Sequence, residues 1–324
     1  MNSVTPPSSL EPLECRSLFA VTLGADPTRA DGVLTFFGSP EADHITVTRS
    51  DTLVAPTDPS GETFILQPVG DGGFFDPVTF PLSPGDAAAL PAGPYAVISY
   101  EGEALRYFCP QSAADRIVFD VGAGDDEVLI TPSLPSLTTL IGSRGNDFFT
   151  GGARFTVMYG GPANDYLRAV GSGAFLHGES GDDVIVGTNR GVAGTVVNEL
   201  HGGGGNDTIT ARGLADAWID GFFGDDHIAG GAGNDLLAGL DGNDFITGGI
   251  GNDSLFGGIG ADTLQGASGN DSFLPGPGKD LASGGQGNDT FDLGDGFVDR
   301  AFGEDGVDTI SDSDGDDVID LGLQ

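Results

Sequence analysis

The chain has 324 residues, of which 49 are acidic and 12 are basic, and its formal net charge is −37 at pH 7. A surface of this sign repels nucleic-acid phosphates and anionic lipid headgroups and attracts cations, so no nucleic-acid partner is expected. Hydrophobic residues make up 38% of the chain, which is too many for an acidic disordered protein. No apolar run reaches the roughly 18 residues of a membrane span, so no transmembrane segment is predicted.

Residues 1–20 read as an N-terminal leader or sorting segment. Residues 10–12 (Leu-Glu-Pro), followed by Leu18 and Phe19, resemble the LEPR-XLL type N-terminal motif of planctomycete-type surface proteins. Leu13 stands where that motif has arginine. The resemblance implies a role in sorting, and a disordered tail is the alternative.

Residues 21–118 contain short stretches in which apolar and polar residues alternate, such as VLTFF, HITVT and YAVISY. Alternation with a period of two predicts β-strands, and the Pro and Gly clusters between the stretches predict turns. The segment GSPEADHITV looks like one degenerate copy of the repeat described below, with Asp43 at its aspartate position. We therefore predict an irregular β cap over 21–118, and a separate β-sandwich is the alternative.

Residues 119–220 repeat with a period of about nine. Units with aspartate at the sixth place begin at residues 121, 142, 160, 178 and 202, and their fourth place is glycine except in the unit at 160, where it is Ala163. They alternate with nine-residue units that keep an apolar eighth residue but lack the sixth-place aspartate, at 133–141, 151–159, 169–177, 193–201 and 212–220.

Residues 221–324 carry the repeat in its most regular form. Eight consecutive nine-residue units fill 221–292, and each has glycine at the fourth place and aspartate at the sixth. The eighth residue is large and apolar in seven of them and is Ala282 in the other. After 292 the period loosens to a ten-residue stretch, LGDGFVDRAF, before GEDGVDTIS and DSDGDDVID resume it. A short fixed period indicates stacked units, because no single unit can bury its apolar side chain alone.

These units resemble the hemolysin-type (RTX) calcium-binding repeat, GGxGxDxUx, in which U is apolar. The resemblance implies an all-β fold, a right-handed parallel β-roll or β-helix with two repeats per coil. Each repeat would form a six-residue turn and a three-residue strand. The implied cofactor is Ca²⁺, bound at multiple sites.

Calcium takes six to eight oxygen ligands and accepts carboxylate and carbonyl oxygens together. One turn is short of such ligands, so an ion should bridge two turns on the same edge of the roll. The family pattern likewise implies sixth-place aspartates from units n and n+2. The predicted metal ligands are Asp147, Asp165, Asp183, Asp207, Asp226, Asp235, Asp244, Asp253, Asp262, Asp271, Asp280, Asp289, Asp308 and Asp317.

The phase of the repeats predicts two kinds of roll. In a coil of two units, alternate units fall on opposite edges. Residues 119–220 should therefore bind calcium on one edge only, and residues 221–324 on both edges, with the second edge starting at Asp235.

The sequence thus predicts a calcium-binding, non-enzymatic structural or adhesive module, extracellular as a secreted or cell-surface protein, that folds on binding calcium after export. Its predicted partners are calcium ions and a cell-envelope or matrix component. The main alternative is a secreted hydrolase with a small catalytic region in 21–118 and a repeat tail for folding and secretion. A fragment of a larger cell-surface protein is a third reading. No HExxH, GxSxG or P-loop motif occurs in the chain.

Overall fold

The computed structural model describes residues 119–130, 138–152, 155–188, 198–313 and 317–322, together with Leu137 and, between residues 20 and 118, the backbone of the strands alone. Every regular element in this part of the chain is a β-strand. Within it, no helix offers the length and apolar character that crossing a membrane requires. Seven strands precede the repeats: β1 (Ala20–Thr22), β2 (Val33–Phe37), β3 (His44–Ser50), β4 (Thr63–Val69), β5 (Phe74–Phe80), β6 (Tyr95–Tyr100) and β7 (Arg106–Pro110).

The strands of the repeats fall alternately into two sheets. The first sheet takes β8 (Arg116–Asp120), β10 (Leu137–Ile141), β12 (Phe155–Pro162), β14 (Gly173–Ser180), β16 (Asn198–Gly204), β18 (Ala217–Phe223), β20 (Leu236–Asp241), β22 (Ser254–Ile259), β24 (Ser272–Leu274), β26 (Thr290–Leu293) and β28 (Thr309–Ser313). The second sheet takes β9 (Glu127–Ile130), β11 (Phe148–Thr150), β13 (Tyr166–Arg168), β15 (Val184–Val186), β17 (Thr208–Thr210), β19 (His227–Ala232), β21 (Phe245–Ile250), β23 (Thr263–Ser268), β25 (Leu281–Gln286), β27 (Arg300–Asp305) and β29 (Val318–Asp320).

Neighbouring strands of each sheet are parallel, and in the regular part they are 18 residues apart along the chain. Ile228 lies opposite Ile246 in the second sheet, and Leu237 lies opposite Leu255 in the first. One coil therefore consists of two nine-residue units, one strand from each sheet. This confirms the predicted parallel β-solenoid with two repeats per coil.

The core is a single column of eighth-place side chains between the two sheets. The eighth residues of the regular block are 0–1% exposed: Ile228, Leu237, Ile246, Leu255, Leu264, Phe273, Ala282 and Phe291. Phe273 and Phe291 stack with ring centroids 4.7 Å apart, one coil above the other. Burial removes these side chains from water only when coils stack, which is why the short strands depend on their neighbours.

The strands before residue 116 join the same two sheets. Strand β2 pairs in parallel with β8, and β3 pairs in parallel with β9, so together they extend the roll by one coil. The second sheet then continues through β6, β7, β4 and β5, with β3–β6, β6–β7 and β4–β5 antiparallel. The side chain of Asp43 lies outside the described residues, as does the segment 1–19. The domain limits at residues 20, 118 and 220 remain predictions.

Candidate metal centre

Each coil has two turns, and the turns of successive coils stack into two edges. The first edge consists of the turns that lead into the odd-numbered strands from β9 onward. The second edge consists of the turns that lead into the even-numbered strands from β10 onward. In the units that carry aspartate, the sixth-place residue sits at the end of the turn, immediately before the strand; in the second-edge units before Asp235, it lies within the first two residues of the strand.

The sixth-place aspartates form hydrogen-bonded ladders from coil to coil. Oδ1 of Asp165 accepts the backbone N–H of Asp147 at 2.7 Å, and Oδ1 of Asp183 accepts that of Asp165 at 2.7 Å. The first-edge ladder contains Asp126, Asp147, Asp165, Asp183, Asp207, Asp226, Asp244, Asp262, Asp280, Asp299 and Asp317. The second-edge ladder contains Asp235, Asp253, Asp271, Asp289 and Asp308. All fourteen residues predicted as ligands from the sequence therefore lie on the two ladders.

The second edge has no carboxylate ladder before Asp235 in the described coils. The backbone N–H of Ala217 donates to Oδ1 of Asp235 at 2.8 Å and so begins that ladder. Upstream, the sixth places hold neutral, buried residues: Thr138, Thr156, Ala174, Asn198 and Ala217. Oγ1 of Thr138 donates to Oγ1 of Thr156 at 3.3 Å, and Oδ1 of Asn198 accepts the N–H of Thr188 at 2.9 Å. Before Asp235, the sixth places of the second edge are thus filled by small neutral side chains, whereas those of the first edge are filled by aspartates.

The second oxygen of these carboxylates is the feature that points to a metal. The ladder aspartates from Asp126 to Asp299 are 1–3% exposed. Leaving a buried carboxylate oxygen without a hydrogen bond or a countercharge is costly, and native structures seldom do it. Here Oδ2 is buried without a hydrogen-bond partner in Asp147, Asp165, Asp183, Asp207, Asp226, Asp235, Asp244, Asp253, Asp262, Asp271, Asp280, Asp289 and Asp308.

Beside each of these oxygens except that of Asp280, a glycine at the first place of the unit leaves room. A β-carbon built on Gly230 would overlap Oδ2 of Asp235 and would lie 2.9 Å from the carbonyl oxygen of Gly248, one coil further on. The same pair of neighbours surrounds Gly221, with Asp226 and Gly239. A carboxylate and a carbonyl oxygen from successive coils thus converge on a space that only glycine leaves open. Calcium accepts this mixed set of oxygen ligands, so the residues fit the ion.

A second, outer ladder runs along the fifth places. The backbone N–H of Asn164 donates to Oδ1 of Asn146 at 3.0 Å, and that of Asp182 donates to Oδ1 of Asn164 at 2.9 Å. These bonds run from each coil back to the previous one, opposite to the aspartate ladder. On the first edge the outer ladder stops at Ala261, which donates to Asn243 at 3.0 Å but has no side-chain acceptor of its own.

Burial shifts the acid–base equilibria of the ladder. Desolvation raises the pKa of Asp183 to about 8, that of Asp226 to about 7 and that of Asp244 to about 6. Neighbouring carboxylates add to the increase, as Asp165 and Asp207 do for Asp183. Burial next to like charge disfavours the ionised form, and a cation among the carboxylates would favour it.

Two residues near the C-terminal end were missed in the sequence. Asp299 accepts the N–H of Asp280 at 2.9 Å and is 1% exposed, so it is a ladder residue. Asp295 lies close enough for its charge to raise the pKa of Asp280, after the larger effect of burial. The signal was present: if the unit is read from Gly294 instead of Leu293, glycine takes the first place and Asp299 the sixth. The extra residue is then Leu293, which is buried in the core.

Comparison with protein families agrees with this geometry. The model of the RTX calcium-binding nonapeptide repeat (4 copies) matches residues 138–153, 159–189, 193–216, 220–255, 238–273, 247–282, 276–297 and 293–324, more than half of the chain. A search of curated proteins gave no match. The aspartate-lined turns of this fold suit several calcium ions, and the chain belongs to the family of RTX calcium-binding nonapeptide-repeat proteins.

Proposed function

We propose that this protein is a secreted or cell-surface structural module whose roll is held together by calcium ions along its two edges. The observation that carries the proposal is the row of buried carboxylate oxygens that have no hydrogen-bond partner. Thirteen sixth-place aspartates share this property. A run of unpaired buried anions is tolerable only if cations lie among them.

The proposed ligands are the fourteen aspartates predicted from the sequence, with Asp299 added. Each ion lies between two successive coils of one edge, where carboxylate and carbonyl oxygens converge beside a first-place glycine such as Gly230. Calcium accordingly binds along the first edge throughout the repeats and along the second edge only from Asp235 onward. The neutral second-edge residues, such as Ala174 and Ala217, offer no carboxylate oxygen there.

Folding on export follows from the charge of the chain. Without calcium, close carboxylate pairs repel by about 1 kcal/mol each or more, depending on the local dielectric. Strands of three to eight residues bury too little to offset that repulsion and the backbone entropy. Family members are typically secreted, and extracellular calcium modules bind at about 10⁻⁴–10⁻³ M. The chain would stay unfolded at cytosolic calcium levels and fold outside the cell, where its outer faces serve adhesion to an envelope or matrix component.

Circular dichroism of the full chain tests the calcium-dependent fold. Calcium-stripped protein should lack the β-sheet signal and gain it cooperatively as calcium chloride is added, whereas magnesium chloride at the same concentration should have little effect. An unchanged β signal after removal of calcium would contradict calcium-dependent folding. Pull-down from cell envelopes, with and without calcium, tests the adhesive role.

The hydrolase alternative places its catalytic groups in residues 21–118, whose side chains lie outside the described residues. In the described coils the ladders already account for the buried acids. A screen of the calcium-loaded protein against polysaccharide and ester substrates separates the two functions, because robust turnover would reject a purely structural role.

A further inference from the structure

One calcium site should differ from the rest, at the point where the repeat is irregular. Residues 294–298 form a turn in the unit that ends the regular block. The N–H of Asp295 donates to the carbonyl oxygen of Leu293 at 3.0 Å, and Oδ1 of Asp295 accepts the N–H of Phe297 at 2.9 Å. Asp295 thus stabilises its own turn with one oxygen. Its other oxygen, Oδ2, is buried and has no hydrogen-bond partner.

That turn brings a third carboxylate to the first edge. Asp280, Asp295 and Asp299 each place one carboxylate oxygen so that all three oxygens lie within 4.8 Å of one another. No other group of three potential ligands of this kind occurs among the described residues. A calcium ion 2.3–2.6 Å from each ligand spans oxygens up to about 5 Å apart. One ion could therefore contact all three carboxylates.

A second observation indicates a ligand here. Asp280 is 3% exposed, and its Oδ2 is buried without a hydrogen-bond partner. The other regular aspartates have a first-place glycine beside this oxygen, but the unit of Asp280 begins with Pro275. The ordinary space beside a first-place glycine is therefore missing from the turn that holds Asp280. Asp295, which belongs to no ladder, supplies an oxygen at this point instead.

Resting on the calcium-binding function proposed above, we infer that Asp280, Asp295 and Asp299 form a separate three-carboxylate calcium site, tighter than the regular sites that pair one carboxylate from each coil. Calcium sites in proteins are tuned by the number of charged ligands and by rigidity. This site has one more carboxylate than its neighbours, held in a hydrogen-bonded turn. Calcium fills it first, and the coils around β25 and β27 are the first to close.

The test is calcium binding to the stripped full-length chain, followed by competition with a chromophoric chelator. The wild-type protein should take up one equivalent on the order of tenfold or more tightly than the remaining equivalents. Asp295→Asn keeps the Oδ1 acceptor for Phe297 and removes only the charge, so it should lose that one equivalent and leave the others unchanged. At saturating calcium its circular dichroism should match that of the wild type.

Asp225→Asn is the matched control. Asp225 also lies on the first edge and accepts a backbone N–H, that of Asn243, at 2.7 Å, but it lies outside the three-carboxylate group. This variant should retain the tight equivalent. The inference fails if wild type binds calcium in a single class, if Asp295→Asn keeps the tight equivalent, or if Asp225→Asn loses it as well. A chain that binds no calcium would reject the proposed function itself.

Discussion

The backbone N–H of Asp226 donates a hydrogen bond of 2.8 Å to Oδ1 of Asp244, the equivalent residue one coil further along the first edge. The other oxygen of Asp244 is buried without a partner. One carboxylate therefore has two separate tasks: Oδ1 links successive coils, and Oδ2 is available to a cation. Substitutions at this residue can separate the two.

Asp244→Asn should keep the coil-to-coil hydrogen bond and weaken calcium binding, because an amide oxygen can still accept from Asp226 but carries no charge. Asp244→Ala should in addition leave the N–H of Asp226 buried and unpaired, at a cost of about 1–3 kcal/mol. Urea unfolding at saturating calcium should rank the wild type above the Asn variant and the Asn variant above the Ala variant.

In calcium-free buffer at pH 8 the order of the first two should reverse. Burial raises the pKa of Asp244 to about 6, so the ionised carboxylate opposes folding at pH 8 and its removal should help. Calcium-free Asp244→Asn that proves no more structured than wild type would contradict the view that this buried charge opposes folding in the absence of calcium.

First-place glycines should be intolerant of alanine because the space beside them contains ligand oxygens. A β-carbon on Gly239 would overlap Oδ2 of Asp244. Gly239→Ala should lower stability at saturating calcium by about 1–3 kcal/mol, as overpacking does, and should weaken calcium binding. The control is Gly204→Ala, since a β-carbon on Gly204 would have no neighbour within 4 Å. Equal effects of the two substitutions on the free energy of unfolding would show that the space beside a first-place glycine tolerates a β-carbon as well as any other position, which would contradict this account.

The calcium-free chain should be more structured at acid pH than at alkaline pH. Burial raises the pKa of Asp183 to about 8 and that of Asp147 to about 7, from the ordinary value of 3.8. For a carboxyl group whose pKa is raised in the folded state, the contribution to stability is complete below about pH 4 and is lost as pH rises through 6 to 8. Circular dichroism of calcium-stripped protein at pH 5 should therefore show more β-structure than at pH 8.

Calcium binding should show the opposite pH dependence, because the ion must displace these protons. The calcium concentration at half-saturation should fall as pH rises from 6 to 8, and binding should release protons into a weakly buffered solution. A pH-independent midpoint, measured by direct calcium titration, would argue that the buried carboxylates are not the ligands.

The second edge before Asp235 should reject a carboxylate. Ala217 is 3% exposed at a sixth place, and its unit begins with Arg212 instead of glycine. Ala217→Asp should destabilise the protein by more than about 1 kcal/mol even with calcium, because it buries a charge without a place for an ion. Ala217→Asn should be tolerated, since Asn198 occupies the same place one coil earlier.

Adding Arg212→Gly to Ala217→Asp should recover stability in calcium only, by opening the space beside the new carboxylate. Calcium bound per chain, measured by equilibrium dialysis, should then rise by one. Full stability of Ala217→Asp alone in calcium would contradict this account, and so would ions on both edges before residue 220 in a calcium-bound crystal structure.

Much of the roll could be predicted because, in a repeat of fixed period, the number of residues between two positions determines where they lie in the fold. Residues 18 apart in the regular block share an edge and a sheet position, so the pairing of Ile228 with Ile246 followed from counting. The alternation of units with and without aspartate likewise placed Asp183 and Asp207 on one edge, 24 residues apart, despite the insertion between them. The eighth-place core followed from the same count.

The irregular unit could not be predicted in the same way. A single added residue, Leu293, shifts the nine-residue period so that Asp299 no longer falls at a sixth place. The side chain of Leu293 is buried in the core. The position of Asp295 depends on the hydrogen bonds of a turn that occurs once, and no period describes it. The opposite hydrogen-bond directions of the aspartate ladder and the outer ladder also could not be predicted from the sequence, because they depend on side-chain rotamers.

Each coil adds one strand to each sheet, so the length of the roll depends on how many coils are closed, and calcium controls that number. Parallel strands lie about 4.8 Å apart, so the eleven strands from β8 to β28 span about 48 Å. An 18-residue coil that loses its ions and opens can extend to about 60 Å. An opened coil is thus more than ten times as long as the spacing between folded coils, and pulling on the chain in low calcium should open the coils one at a time.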